Sequence, residues 1–116
     1  MKTIALALVV FLAGAILPAA AHSQRRMTVP EDGAVLSASP EEIVLTFDAQ
    51  TQVTYIALKN AQGEVVSLET ADRMRPLVRF TAEPGAMGAG AYEVEWRGLS
   101  ADGHPLQGRF GFSVEP

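Results

Sequence analysis

Ala91-Tyr92-Glu93-Val94-Glu95-Trp96-Arg97 and Arg109-Phe110-Gly111-Phe112-Ser113-Val114 are the two stretches whose reading decides the fold. In the first, Tyr92, Val94 and Trp96 fall on one side and Glu93, Glu95 and Arg97 on the other. In the second, Phe110, Phe112 and Val114 alternate in the same way. A period of two with one apolar side is the mark of a half-buried strand. Gly103 and Pro105 interrupt the chain between them, which predicts a strand–loop–strand unit with His104 in the connection. Working outward, residues 42–48 alternate through Ile43, Leu45 and Phe47, and residues 53–59 form the next candidate strand. Asn60-Ala61-Gln62-Gly63 is a turn leading into residues 64–68, and another strand is predicted over 77–81. Residues 83–90 are rich in Gly and Pro and predict a loop. With a first strand around residues 24–29, the count is about seven short strands separated by turns. That pattern predicts an all-β, Ig-like (cupredoxin-like) β-sandwich without the cysteine pair of true Ig domains.

The front of the chain has a different character. Lys2 supplies a positive start, residues 4–17 are an apolar run, and Ala19-Ala20-Ala21 offers a small-residue cleavage pattern. Residues 1–21 are therefore expected to be a cleaved export signal and residues 22–116 a single domain. The apolar run is 14 residues long, short of the roughly 20 that span a bilayer, and no second such run follows. The formal charge is −4, with no basic run longer than Arg25-Arg26. This balance argues against nucleic acid or an anionic membrane as partner and mildly favours attraction of cations. The absence of cysteine removes thiolate zinc sites, iron–sulfur clusters and His₂Cys copper sites together.

Only two histidines occur, His22 and His104. Cleavage after Ala21 makes His22 the first residue, so its α-amine and its imidazole Nδ1 could chelate one ion. Taken alone, a terminal histidine is as readily a frayed end without a role. His104 lies in Ser100-Ala101-Asp102-Gly103-His104-Pro105, two residues after a carboxylate. Asp-Gly followed by Pro is also ordinary turn chemistry. Two imidazoles, an amine and a carboxylate nevertheless form a small N/O set suited to tetragonal Cu(II), and zinc is a competitor for it. Trp96 reads as the core aromatic of the sandwich, on a strand that runs toward this loop.

The chain resembles the CopC family of periplasmic copper-binding, copper-resistance proteins across essentially its whole mature length. The resemblance is carried by His22, by Pro30-Glu31-Asp32-Gly33-Ala34-Val35-Leu36, and by Pro40 with Ile43-Val44-Leu45-Thr46-Phe47. Its most specific part is Tyr92–Arg97 followed by Ser100-Ala101-Asp102-Gly103-His104-Pro105 and Gly108-Arg109-Phe110-Gly111-Phe112. It implies one Cu(II) ion per chain, held by the amine and Nδ1 of His22 (a histidine brace) and by one imidazole nitrogen of His104. Asp102 would be a weaker or axial ligand. Asp48 would hydrogen-bond the amine or reach the metal through water. The implied role is a periplasmic carrier or buffer in copper resistance, exchanging copper with an inner-membrane transporter or another periplasmic copper protein.

Two features depart from the family. Met27, Met74 and Met87 form no methionine cluster, so a Cu(I) thioether site is not expected, and each reads as packing or loop filler. Arg25-Arg26 sits near the metal end, where its charge would either oppose Cu(II) or offer a contact to an acidic partner. Two rival functions remain open at this level: a copper-dependent oxidative enzyme and a metal-free Ig-like interaction module. No row of aromatics suggests a sugar-binding plane for the first, and no acid/base pair of carboxylates stands out.

Overall fold

The structure, a computed structural model, describes residues 27–116. The expected signal segment, His22 and Arg25-Arg26 lie outside the described residues. Eight strands follow in order: β1 (Met27–Val29), β2 (Ala34–Leu36), β3 (Ile43–Asn60), β4 (Val65–Val66), β5 (Leu68–Thr70), β6 (Leu77–Pro84), β7 (Gly90–Ser100) and β8 (Pro105–Val114). There is no helix among the described residues.

β3 organises both layers. Its first half pairs with β1 and β6, placing Leu45 between Thr28 and Phe80. Its second half pairs with β7 and β4, with Ile56 opposite Trp96 and Leu58 opposite Val66. Between the halves the register slips. β3 advances from Thr46 to Thr51 while β6 moves only from Arg79 to Leu77. Surplus residues on one strand bend it, and a bent strand can leave one sheet and enter the other. One layer is thus β1, β3, β6 and β5; the other is β4, β3, β7, β8 and β2.

The inner faces of these layers close on a common core. The first contributes Ile43, Leu45, Phe47, Phe80 and Ala82, the second Val53, Leu58, Val94, Trp96, Phe110, Phe112 and Val114. Phe47 meets Trp96 edge to face, ring centroids 5.3 Å apart at 71°, a favoured geometry for two aromatic quadrupoles. Trp96 also lies across its cross-strand partner Gly108, where a Cβ would stand 2.6 Å from the indole Nε1. A glycine is needed there because the indole occupies the space of a side chain. Trp96 is therefore the core aromatic that the alternation indicated.

The Pro30-Glu31-Asp32-Gly33 segment carries the chain from the first layer to the second. Asp32 Oδ1 accepts a hydrogen bond from the Gly111 amide at 2.9 Å, and the Gly33 amide donates to the Gly111 carbonyl at 2.7 Å. Gly33 has φ +83°, a conformation that costs residues bearing a Cβ. These bonds dock β2 parallel to β8, with Val35 opposite Ser113. This part of the resemblance is therefore a structural latch.

Several expected boundaries shift. Residues 42–48 and 53–59 belong to one bent strand, because the corner is made by a bulge and contains no Gly or Pro to announce it. β2 is a strand, although three residues show no legible period. β6 continues through Glu83-Pro84, paired with Leu68-Glu69, so the loop begins later than composition indicated. Residues 64–68 divide between β4 and β5, which pair with different strands.

Candidate metal centre

Ser100 ends β7 and Pro105 begins β8, with Leu99 paired to Pro105. Between them the backbone closes a three-residue hairpin. The Ser100 amide donates to the His104 carbonyl and the Gly103 amide to the Ser100 carbonyl, both at 2.9 Å. Gly103 has φ +84°. A turn followed by a left-handed glycine that makes a bulge is a common hairpin closure. It sets Asp102 and His104 on the same exposed tip.

The side chains there form a chain of hydrogen bonds. His104 Nδ1 donates to Asp102 Oδ2 at 2.8 Å, while the Ser100 hydroxyl donates to Asp102 Oδ1. The His104 amide donates to Ser100 Oγ at 3.0 Å. The Ser100 hydroxyl, followed by His104, draws the Asp102 carboxyl down to about 2 from its ordinary 3.8; both partners favour the ionised form. His104 remains 76% and Asp102 68% exposed, so the imidazole edge opposite Nδ1 faces solvent. A histidine whose Nδ1 is held by a carboxylate and whose Nε2 is open has the usual arrangement of a metal-binding imidazole. This donor chemistry fits a copper ion.

The surrounding strands bring other segments to the same end. Thr51, the first residue past the β3 corner, pairs with both Leu77 and Ser100. The corner residues 47–50 therefore adjoin the hairpin tip. β1 runs antiparallel to the first half of β3, Val29 opposite Val44 and Met27 opposite Thr46. Its N-terminal end thus points toward Phe47 and Asp48.

Of the predicted site residues, the structure brings Asp102 and His104 into contact. Asp48 lies in the corner, exposed, and is not gathered with them. Among the described residues no three His, Asp or Glu side chains converge as a metal-holding group. His22 lies outside the described residues. Of the methionines, Met87 packs against the core, whereas Met27 and Met74 are 68% and 81% exposed and are not core filler. Ser100 is a third member of this group that the spacing of Asp102 and His104 does not single out. Its signal was position, a hydroxyl two residues before an aspartate at the end of a strand, where Ser commonly bonds its own turn. The three residues do not form a nucleophilic triad. The serine hydroxyl points at the carboxylate rather than at the imidazole, so no base activates it.

Comparison with known proteins identifies the family. A CopC domain model matches residues 26–115. Copper resistance protein C of Escherichia coli is 30% identical over 113 residues, covering 88% of this chain and 88% of that protein. The crystal structure of CopC from Methylosinus trichosporium OB3b superposes with a TM-score of 0.66 at 25% identity, over 79% of this chain and 95% of that one. PcoC, a methionine-rich copper resistance protein from Escherichia coli, gives 0.62 at 25% identity, over 79% and 98%. The two Escherichia coli relatives are copper resistance proteins, which favours copper handling over the oxidative-enzyme alternative. With the domain covering nearly all of the described residues, the chain belongs to the CopC family.

Proposed function

We propose that this protein is exported, cleaved after Ala21, and acts in the periplasm as a carrier or buffer of one Cu(II) ion per chain. The observation that carries this reading is the exposed Asp102–His104 pair, with Nδ1 occupied and Nε2 open, at the end toward which the start of β1 points. His22 precedes Met27 by five residues, a reach of at most about 18 Å. The mature amine and Nδ1 of His22, with a His104 nitrogen, would supply three nitrogens in the tetragonal plane that Cu(II) prefers. Asp102 is the carboxylate of the site. Asp48, on the neighbouring corner, is assigned to hydrogen-bonding the amine or to a water-mediated contact.

When bound, copper supplies a cation to be stored and passed on. The chain's own part is to present neutral donors and keep them accessible. Affinity therefore falls as pH drops, because protons compete for the same lone pairs. Folding does not need the metal, since the core is complete without it. An inner-membrane copper transporter or another periplasmic copper protein would be the exchange partner.

The decisive experiment compares protein beginning at His22 with a version bearing one additional N-terminal residue. Copper titration followed by EPR should give a three-nitrogen tetragonal signal only for the first. Equal signals would reject the brace. Absence of saturable one-to-one Cu(II) binding in calorimetry would favour the metal-free module. Mass spectrometry of the secreted protein tests the cleavage site.

A further inference from the structure

We infer that Ser100 is a positioning residue: acting through Asp102, it fixes His104 in the Nδ1–H tautomer, so that Nε2 is the nitrogen this hairpin offers to a metal. For its affinity arm the inference rests on the copper reading above; its tautomer arm does not.

Which imidazole nitrogen keeps its proton is set by the hydrogen bond the other makes. An exposed, unpartnered histidine favours the Nε2–H form, which would turn a donor rather than a lone pair outward. Here Nδ1 donates to Asp102 Oδ2 at 2.8 Å, which reverses that preference. The carboxylate is itself held. Ser100 donates its hydroxyl proton to Oδ1 and receives the His104 amide on Oγ at 3.0 Å. One side chain at the end of β7 thus grips both the aspartate and the backbone of the histidine. Ser100 stands opposite Thr51, which is buried, so the grip is anchored in the sheet rather than in the loop. In the metal-free hairpin Asp102 faces Nδ1 on the near side of the ring and orients the histidine.

The Asn60–Glu64 connection provides an internal control. Its backbone bonds match those of the metal hairpin, with the Asn60 amide on the Glu64 carbonyl and the Gly63 amide on the Asn60 carbonyl, both at 3.0 Å. Gly63 has φ +80°. This turn closes without serine, aspartate or histidine. The Ser100 Oγ–His104 amide bond has its counterpart in the Asn60 Oδ1–Glu64 amide bond and belongs to the turn, whereas the Ser100–Asp102 and Asp102–His104 side-chain bonds have no counterpart there and are not required to close the hairpin.

The test uses nitrogen-15 NMR of the metal-free secreted protein at a pH where His104 is neutral. Two-bond proton–nitrogen correlations separate the tautomers. Wild type should show Nδ1–H. Ser100→Ala should shift the population toward Nε2–H and weaken Cu(II) binding about tenfold, the lower end of the range for outer-shell partners. Ser100→Thr, which keeps the hydroxyl, should restore both. Asp102→Ala, which leaves the backbone turn in place, should also release the Nε2–H form and decides the matter if Ser100→Ala does not fold. A wild-type Nε2–H tautomer, a folded Ser100→Ala variant that retains Nδ1–H, or an Asp102→Ala variant that retains it would overturn the inference. Failure of the histidine brace would appear instead as indifference of copper binding to an added N-terminal residue, with the tautomer result unchanged.

Discussion

Two hairpins in this molecule share a backbone and differ in chemistry. Asn60-Ala61-Gln62-Gly63-Glu64 and Ser100-Ala101-Asp102-Gly103-His104 close with the same pair of backbone hydrogen bonds and the same left-handed glycine. In the first, Asn60 Oδ1 accepts the amides of Gln62 and Glu64 at 3.0 and 2.9 Å, so the side chain serves only its own turn. In the second, Ser100 secures Asp102, and Asp102 secures His104. Backbone requirements fill the glycine position in both. What remains after those requirements are met, an ionised carboxylate and an imidazole at adjoining exposed positions, is what a turn does not need and a metal site does.

That contrast can be broken most sharply at the last position of each hairpin. His104→Ala should lower Cu(II) affinity by more than about 100-fold, beyond the range of outer-shell substitutions, while Glu64→Ala leaves it unchanged. Competition titration with a copper chelator measures both. Neither substitution should alter thermal unfolding by more than about 0.5 kcal/mol, the usual limit for exposed sites.

The glycines should separate stability from binding. Gly63→Ala and Gly103→Ala each force a Cβ into the left-handed region, at a cost of about 1–2 kcal/mol in urea unfolding. The two should destabilise alike, since nothing lies within 4 Å of either added carbon. Only Gly103→Ala should also weaken copper binding, by disturbing the angle between Asp102 and His104. Smaller still, Asn60→Ala should cost about 0.5–1 kcal/mol for its exposed side-chain bonds, with no change in copper affinity.

The acid limb distinguishes the two turns most finely. Asp102 titrates at about 2 in the folded protein, below its ordinary 3.8, chiefly through the Ser100 hydroxyl and then His104. A depressed carboxyl stabilises the fold above its unfolded value, and that contribution is lost as pH falls from about 4 through about 2. An NMR titration should show the Ser100 and Asp102 signals moving in that window, and Asp102→Asn should abolish the movement.

Much of the architecture was legible because alternation is local. Tyr92, Val94 and Trp96 against Glu93, Glu95 and Arg97 identify a strand and its buried face without any knowledge of the partner. The β3 corner was not legible. Phe47-Asp48-Ala49-Gln50-Thr51 contains no breaker residue, and the bend arises from unequal pairing with β6. β2 escaped for a related reason, since its three residues become a strand only by lying parallel to β8. At the site, spacing pointed to Asp102 and His104, but nothing local distinguished a ligand from a turn residue.

The polypeptide sequence alone determined that residues 27–116 are built of half-buried strands, that thiolate chemistry is excluded, and that His22 and His104 are its only imidazoles. These follow from side-chain identity and period. Tertiary structure decided that β3 bends from one layer into the other and that its corner, the start of β1 and the hairpin tip meet at one end. Those depend on contacts between strands far apart in sequence, whose geometry no single segment carries by itself.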